Sequence, residues 1–313
     1  MFAHCVTVCV EEERLKAPKD VVKQSNALTT AAYDLSRNEK RVLYLCLSKL
    51  YQKGALFNEV EKAYEIAIDY SDYAQIFSDE NLSRDIYNAM SGLMKKKVVF
   101  YVPDNDDGMV KATKERSWIT GFDNNPRNKK AILYLNASVF DIVSKTDREF
   151  TLYLMTVVGR INNPYAMRMY ELIAQWRSSR TTFTHSIEWL KERFKLPKSY
   201  NRMPDFRRSF LNVVVKEIND NTDINLSVEE LCEGERKNKV THIKFSWSSK
   251  KTPLDPSLLK IQELYKSVLL GDLRNKNELI FLLENIDKYV GQGGIEKNND
   301  FIVMWSSCMS LAD

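Results

Sequence analysis

The sequence predicts a helix-rich α+β protein: two tandem winged-helix domains followed by a helical C-terminal extension. Two observations carry this. The order helix, short strand, short helix, longer helix, β-rich hairpin occurs twice, roughly 120–130 residues apart. That order is the winged form of the helix-turn-helix. The length of 313 residues agrees, since domains run to roughly 100–200 residues each. The division expected is an N-terminal extension over 1–20, a first winged-helix domain over 21–146, a second over 147–249 and the extension over 250–313. The boundary between the two winged helices is placed near Lys145-Thr146-Asp147.

The first helix opens at Ser36. Ser36-Arg37-Asn38-Glu39 has the S-x-x-E form of a capping box and leads into Val42, Leu43, Leu45, Cys46 and Leu50. Tyr64 to Ile68 alternates as a short strand, and Ser71 to Phe77 reads as a short helix. Leu82, Ile86, Ala89, Met90 and Leu93 recur at helical spacing. Val98 to Val102 is β-rich, with Ser117–Phe122 and Ala131–Leu135 as its expected partners. In the second module Asn163-Pro164 opens a helix running to Trp176. A strand over Thr181–His185, a short helix over Ile187–Phe194 and a longer one over Pro204–Asn219 follow. Pro204 is tolerated in a first turn because the N–H it lacks has no helical partner there. Ile224–Val228 and Val240–Trp247 are strands around the polar tip Glu233–Lys239. Past Lys250 two helical signals stand out, Leu258–Leu270 and Glu278–Val290.

Composition excludes several classes. Apolar residues are 44% and charged residues 28%, enough of the former to bury a core. No apolar run approaches the roughly 18–20 residues that cross a bilayer, and the apolar start Met1–Val10 lacks a basic n-region. Five scattered cysteines, an odd number, argue against a disulfide framework and for a reducing compartment. No glycine pattern builds a P-loop or a dinucleotide fingerprint. With three histidines and no paired spacing, a metal-dependent nicking nuclease lacks its cluster; His4, Cys5 and Cys9 fall short of the four ligands of a structural zinc. Asp104–Gly108 does not fit a calcium loop and reads as a solvated hairpin tip. The expectation is a binding protein without catalytic residues, metal or cofactor, in a reducing cytosol and away from membranes.

The net charge of +4 is small, but it is concentrated. Between Lys191 and Arg208 stand Lys191, Arg193, Lys195, Lys198, Arg202, Arg207 and Arg208 against Glu192 and Asp205, a local excess of +5. On the helix that follows, Phe206, Phe210, Val213, Val214 and Ile218 fall on one side at 100° per residue. Asp205, Arg208, Ser209, Asn212 and Lys216 fall on the other. Arg pairs with guanine O6/N7 and Asn with adenine N6/N7, so this stripe suits a major groove. Arg207, near the apolar edge, is placed against phosphate; Arg202, ahead of the helix, can reach a base or the backbone. The tip cations Arg236, Lys237 and Lys239 sit where a wing touches phosphates. In the first module Arg84, Asn88 and Lys95 offer a sparser stripe, and Asp104, Asp106 and Asp107 at its wing repel DNA.

Three stretches resemble a known family, the iteron-binding replication initiators of bacterial plasmids, of the F-plasmid type. They are Val22–Arg37 (VKQSNALTTAAYDLSR), Asn163–Glu171 (NPYAMRMYE) and, most specific, Leu196–Arg208 (LPKSYNRMPDFRR). The resemblance spans roughly residues 20–247. It implies two winged-helix domains about a pseudo-twofold. It implies monomers on directly repeated origin sites, which help to open the origin, and homodimers on an inverted repeat over the protein's own promoter. It further implies main base contacts from the second domain, auxiliary contact and dimerisation from the first, and as host partners the replicative helicase and the chromosomal initiator. Arg202, Asp205, Arg207 and Arg208 match the family's DNA-reading segment. Where the F-type chain has a third arginine this one has Ser209, which implies one contact fewer and an altered site. A transcriptional repressor without a replication role would need the same docking surface and is the alternative reading. Residues 250–313 have no counterpart in the resemblance.

Overall fold

The computed structural model describes residues 21–77, 81–103, 110–144, 150–232, 239–250, 256–288 and 299–312. The chain divides into two compact units between Ser249 and Lys250.

The first unit begins with β1 (Val21–Ser25) and α1 (Asn26–Thr29). A winged helix follows: α2 (Arg37–Lys53), β2 (Leu56–Asn58), β3 (Ala63–Asp69), α3 (Tyr70–Phe77), α4 (Leu82–Lys95) and β4 (Lys97–Pro103). It is completed by β5 (Val110–Ser117), β6 (Ile119–Asn125), β7 (Lys130–Asn136) and α5 (Ala137–Val143). Then come β8 (Phe150–Leu154) and α6 (Met155–Val158). The second winged helix has α7 (Pro164–Trp176), β9 (Thr182–Ser186), α8 (Ile187–Arg193), α9 (Met203–Phe206), a π-turn over Arg207–Leu211, α10 (Asn212–Asn221), β10 (Ile224–Leu231) and β11 (His242–Ser249).

The expected capping box is present. The Ser36 N–H donates to Glu39 Oε2 at 2.6 Å while Ser36 Oγ accepts from the Glu39 N–H. The same carboxylate takes Lys96 at 2.8 Å and lies against Gly92 of α4, where any Cβ would collide with it. One residue thus starts α2 and docks α4 onto it.

The pairing of the first wing differs from expectation. β4 pairs with β5, not with the segments Ser117–Phe122 and Ala131–Leu135; those become β6 and β7, which extend β3 in the order β2-β3-β7-β6. β5 carries Lys114, Glu115 and Arg116 on a solvated ribbon, so hydrophobic alternation does not mark it. The acidic tip and the boundary near Lys145-Thr146-Asp147 lie outside the described residues. Just past that boundary, β8 pairs antiparallel with β1, Val21 opposite Leu154 and Ser25 opposite Phe150. The second sheet has the order β10-β11-β9.

One continuous apolar core runs through both winged helices. Between them sits a buried polar clasp. Lys40 on α2 and Glu171 on α7, 1% and 0% exposed, are 2.5 Å apart. Tyr44 donates to Glu171 Oε1 at 2.5 Å and Tyr33 to Oε2 at 3.3 Å, while Lys40 Nζ donates to the Tyr33 hydroxyl at 3.0 Å. Burial first, and the charge of Glu171 second, push the Tyr44 and Tyr153 phenols well above their ordinary range, so both stay protonated. Arg168, also on α7, donates to the carbonyls of Ala31, Tyr33 and Arg193 and lies 3.9 Å over the Tyr33 ring.

The second unit contains α11 (Pro256–Leu269), α12 (Lys276–Asn285) and α13 (Asn299–Ala312) around Ile261, Val268, Leu279, Leu282, Phe301 and Cys308. Two of these helices are the expected ones, the second ending at Asn285 rather than Val290. The third was not expected: Phe301–Ala312 carries no charge to give it a polar stripe. Among the described residues no helix is long and apolar enough to cross a membrane.

Lys40→Ala strands the buried Glu171 carboxylate and is expected to lower the unfolding free energy in urea by about 3–5 kcal/mol. The double variant Lys40→Met/Glu171→Leu, which removes both charges, should regain most of that loss. A double variant no more stable than the single one would contradict the assignment.

Candidate nucleic-acid interface

The candidate surface is the helix-turn-helix of the second module. Ser186 caps α8 by accepting from the Trp189 N–H at 3.1 Å. α8 ends at Arg193, and two residues on Lys195, whose φ of 49° lies in the left-handed region, turns the chain sharply. A 3₁₀ turn over Lys198–Asn201 leads into α9 at Met203.

From α9 through α10 the buried residues are Phe206, Phe210, Leu211, Val214 and Ile218. Val213, expected on this side, is half-buried, and Leu211 takes its place. The cause is the π-turn, in which the Asn212 N–H bonds back five residues to the Arg207 carbonyl. A π-turn spends one more residue on the turn and resets the phase of everything after it.

The outward residues keep the expected order. Arg208 and Lys216 are 79% and 76% exposed, and Asn212 between them is exposed too. Arg202, 83% exposed, stands ahead of them. Asp205 is half-buried between the two arginines; Arg208 donates to it at 2.8 Å and Arg202 lies 3.9 Å away. Ser209 is half-buried. Lys216 donates to Asp220 one turn on, and that bond, with the nearby charge, raises its pKa. Exposed pairs of this kind are worth at most about 1 kcal/mol, so a phosphate can displace the carboxylate at small cost.

Arg207 stands apart. It donates from Nε and Nη2 to the two oxygens of Glu230 on β10, both at 2.6 Å. These bonds raise the Arg207 pKa and hold the Glu230 carboxyl below its usual range. Glu230 has no role in the sequence reading. The nearest signal is the alternation of Ile224–Val228, a strand pattern that ends two residues before Glu230. On the wing, Lys239 is exposed, Lys244 pairs with Glu229 at 3.2 Å, and Arg236 and Lys237 lie outside the described residues.

The cationic cluster is not all available. Arg193 is buried: it donates to the Thr30 carbonyl at 3.0 Å and lies 3.0 Å over the Tyr101 ring. It belongs to the packing between the modules. On α4, Ile86, Ala89, Met90 and Leu93 are buried while Arg84, Asn88 and Lys95 face outward. Of the lysines that follow, Lys96 is held by Glu39 and Lys97 by Glu115. Among the described residues no group of histidine, cysteine and carboxylate side chains is placed to hold a metal ion.

Comparison with known proteins accords with this architecture. Residues 21–174 match the family described as Initiator Replication protein, WH1, and residues 186–247 match Initiator Rep protein, WH2. An uncharacterised 27.6 kDa protein of Escherichia coli is 31% identical over 222 residues, 68% of this chain and 90% of its own length. A replication initiation protein of Escherichia coli is 23% identical over 216 residues, 67% of this chain and 65% of its own length. Among solved structures, the Pi initiator protein in complex with iteron DNA aligns with a TM-score of 0.58 at 20% identity, over 74% of this chain and 98% of its own. The chain belongs to the initiator replication protein family.

His185, on β9 beneath the helix-turn-helix, stacks on Trp189 at 3.8 Å. Burial first, and the positive charge of Arg193 second, push its pKa down to about 4. In the unfolded chain a histidine titrates near ~6.5. As pH falls from ~6.5 towards 4, the unfolded chain gains a proton that the native one refuses, so stability falls across that window. His185→Phe should flatten the urea stability profile there. An undiminished slope would contradict the buried neutral imidazole.

Proposed function

From its membership of that family we propose that the protein is a plasmid replication initiator. In this reading it binds repeated double-stranded sites at its origin as a monomer. As a homodimer it represses its own promoter at an inverted repeat. One observation carries the reading: a single outward line of Arg208, Asn212 and Lys216 on the second helix of a helix-turn-helix, opposite a sealed apolar face.

The roles follow from the chemistry. Arg208 and Asn212 have the donor geometry for base edges in a major groove. Lys216, Arg202 and the wing residues Arg236, Lys237 and Lys239 supply phosphate contacts, which fix register and give salt dependence. Asp205 orients Arg202 and Arg208; Ser209, small beside them, lets the backbone approach. Arg84, Asn88 and Lys95 give the first module an auxiliary contact, the remainder of its surface serving dimerisation. The protein works by binding and not by catalysis; host factors, the replicative helicase and the chromosomal initiator, act on the opened origin.

Footprinting on the DNA that adjoins the gene should show protected direct repeats. The gene with its flanks should sustain a vector that cannot replicate alone. Protection of a promoter palindrome with no autonomous replication would instead make the protein a repressor. Arg208→Ala is expected to cost about 1–3 kcal/mol on the specific site and to relax its base preference, whereas Lys216→Ala should weaken all duplexes alike and reduce the salt slope by about 1. Equal losses for Arg208→Ala on specific and random DNA would make Arg208 a phosphate contact.

A further inference from the structure

The recognition helix and the wing are strapped together at two points. At the far end the Asn219 side chain makes both bonds of a backbone amide with Leu226 on β10. Its Nδ2 donates to the Leu226 carbonyl at 3.0 Å, and its Oδ1 accepts from the Leu226 N–H at 2.6 Å. At the near end Arg207 holds Glu230, four residues further along the same strand, through two parallel bonds of 2.6 Å. The π-turn makes the second strap. With Phe206, Phe210 and Leu211 all inside, Arg207, Arg208 and Ser209 fan over the outer half of one wide turn. Arg208 takes the outward line. Arg207 takes the edge towards β10, where the planar fork of a guanidinium matches a carboxylate.

We propose that Arg207 is a positioning residue: by clamping Glu230 it fixes the wing against the recognition helix, and so sets which phosphates the wing can reach while Arg208 reads the groove. This rests on the DNA-binding reading above. The consequence differs from that of a phosphate contact. Glu230 near a DNA backbone would repel it if left alone, so both partners are needed, and they are interchangeable as a pair.

The experiment compares wild type, Arg207→Lys, Arg207→Glu, Glu230→Arg and the swapped double variant Arg207→Glu/Glu230→Arg. Amide hydrogen exchange of β10–β11 is read without DNA. Affinity is read by fluorescence anisotropy on an origin repeat over a salt series, below each variant's unfolding midpoint. The single charge reversals should speed exchange in the hairpin and weaken specific binding at least tenfold. The swap should slow exchange again and return affinity to within about threefold of wild type with its salt slope intact. Arg207→Lys, which keeps the charge and loses the fork, should behave as a broken clamp. Arg207→Lys binding like wild type, or a swap that restores nothing, would overturn the proposal and make Arg207 a phosphate contact. Faster exchange without any loss of affinity would overturn it as well. Were the wild type to show no preference for origin repeats, the functional reading would fail, while the exchange data would still judge the clamp.

Discussion

The structure hangs on a buried carboxylate. Glu171, within α7, is fully enclosed, and its negative charge is met by Lys40 and by the hydroxyls of Tyr33 and Tyr44. Removing such a charge from water costs several kcal/mol, which only a complete set of partners offsets. The partners come from α2 and from the segment just before it, in the first winged helix. Arg168, one turn earlier on α7, grips the same segment through the carbonyls of Ala31 and Tyr33. The demands of these two buried ions are met only when the modules sit in one arrangement. Both helix-turn-helices therefore belong to one body, and the outward faces of α4 and α10 keep a set relation.

On that body the distribution of charge separates function from architecture. Arg193 and Lys96 look like members of a basic surface in sequence, yet each is held by the fold: by a carbonyl and a ring, and by the buried Glu39. Among the described residues, Arg202 and Arg208 pair with the half-buried Asp205 and Lys216 with the exposed Asp220, all within the same stretch of helix. Such pairs keep the side chains extended without binding them strongly, so they can be exchanged for phosphate oxygens or base edges.

Much of this was legible in the residues. The capping box at Ser36 fixed the start of α2 because both halves of the motif are local. Most of the second module was legible, since the helical spacing of its apolar residues and the alternation in β10 and β11 agree with the tertiary fold. Three things were hidden, each for a physical reason. β5 is a charged ribbon strand whose partner is chosen by β4 and not by its own pattern. α13 lacks a polar stripe because Phe301–Ala312 has no charged residue, so its period does not show. The π-turn is a tertiary accommodation: it brings Leu211 inside in place of the half-buried Val213, a change of phase that uniform 100° steps do not show. That turn also moved Arg207 from the edge of a projected stripe to the side of Glu230, a contact between residues 23 apart.

The central claim is that the line Arg208–Asn212–Lys216 lies in a major groove. Guanine N7 methylation interference on an origin repeat tests it most directly, because N7 is exposed only there. The account predicts strong interference at guanines within one groove segment of each repeat, and the loss of that effect at a single guanine for the Arg208→Ala variant. Interference absent from the wild type, or a pattern identical in the variant, would contradict it.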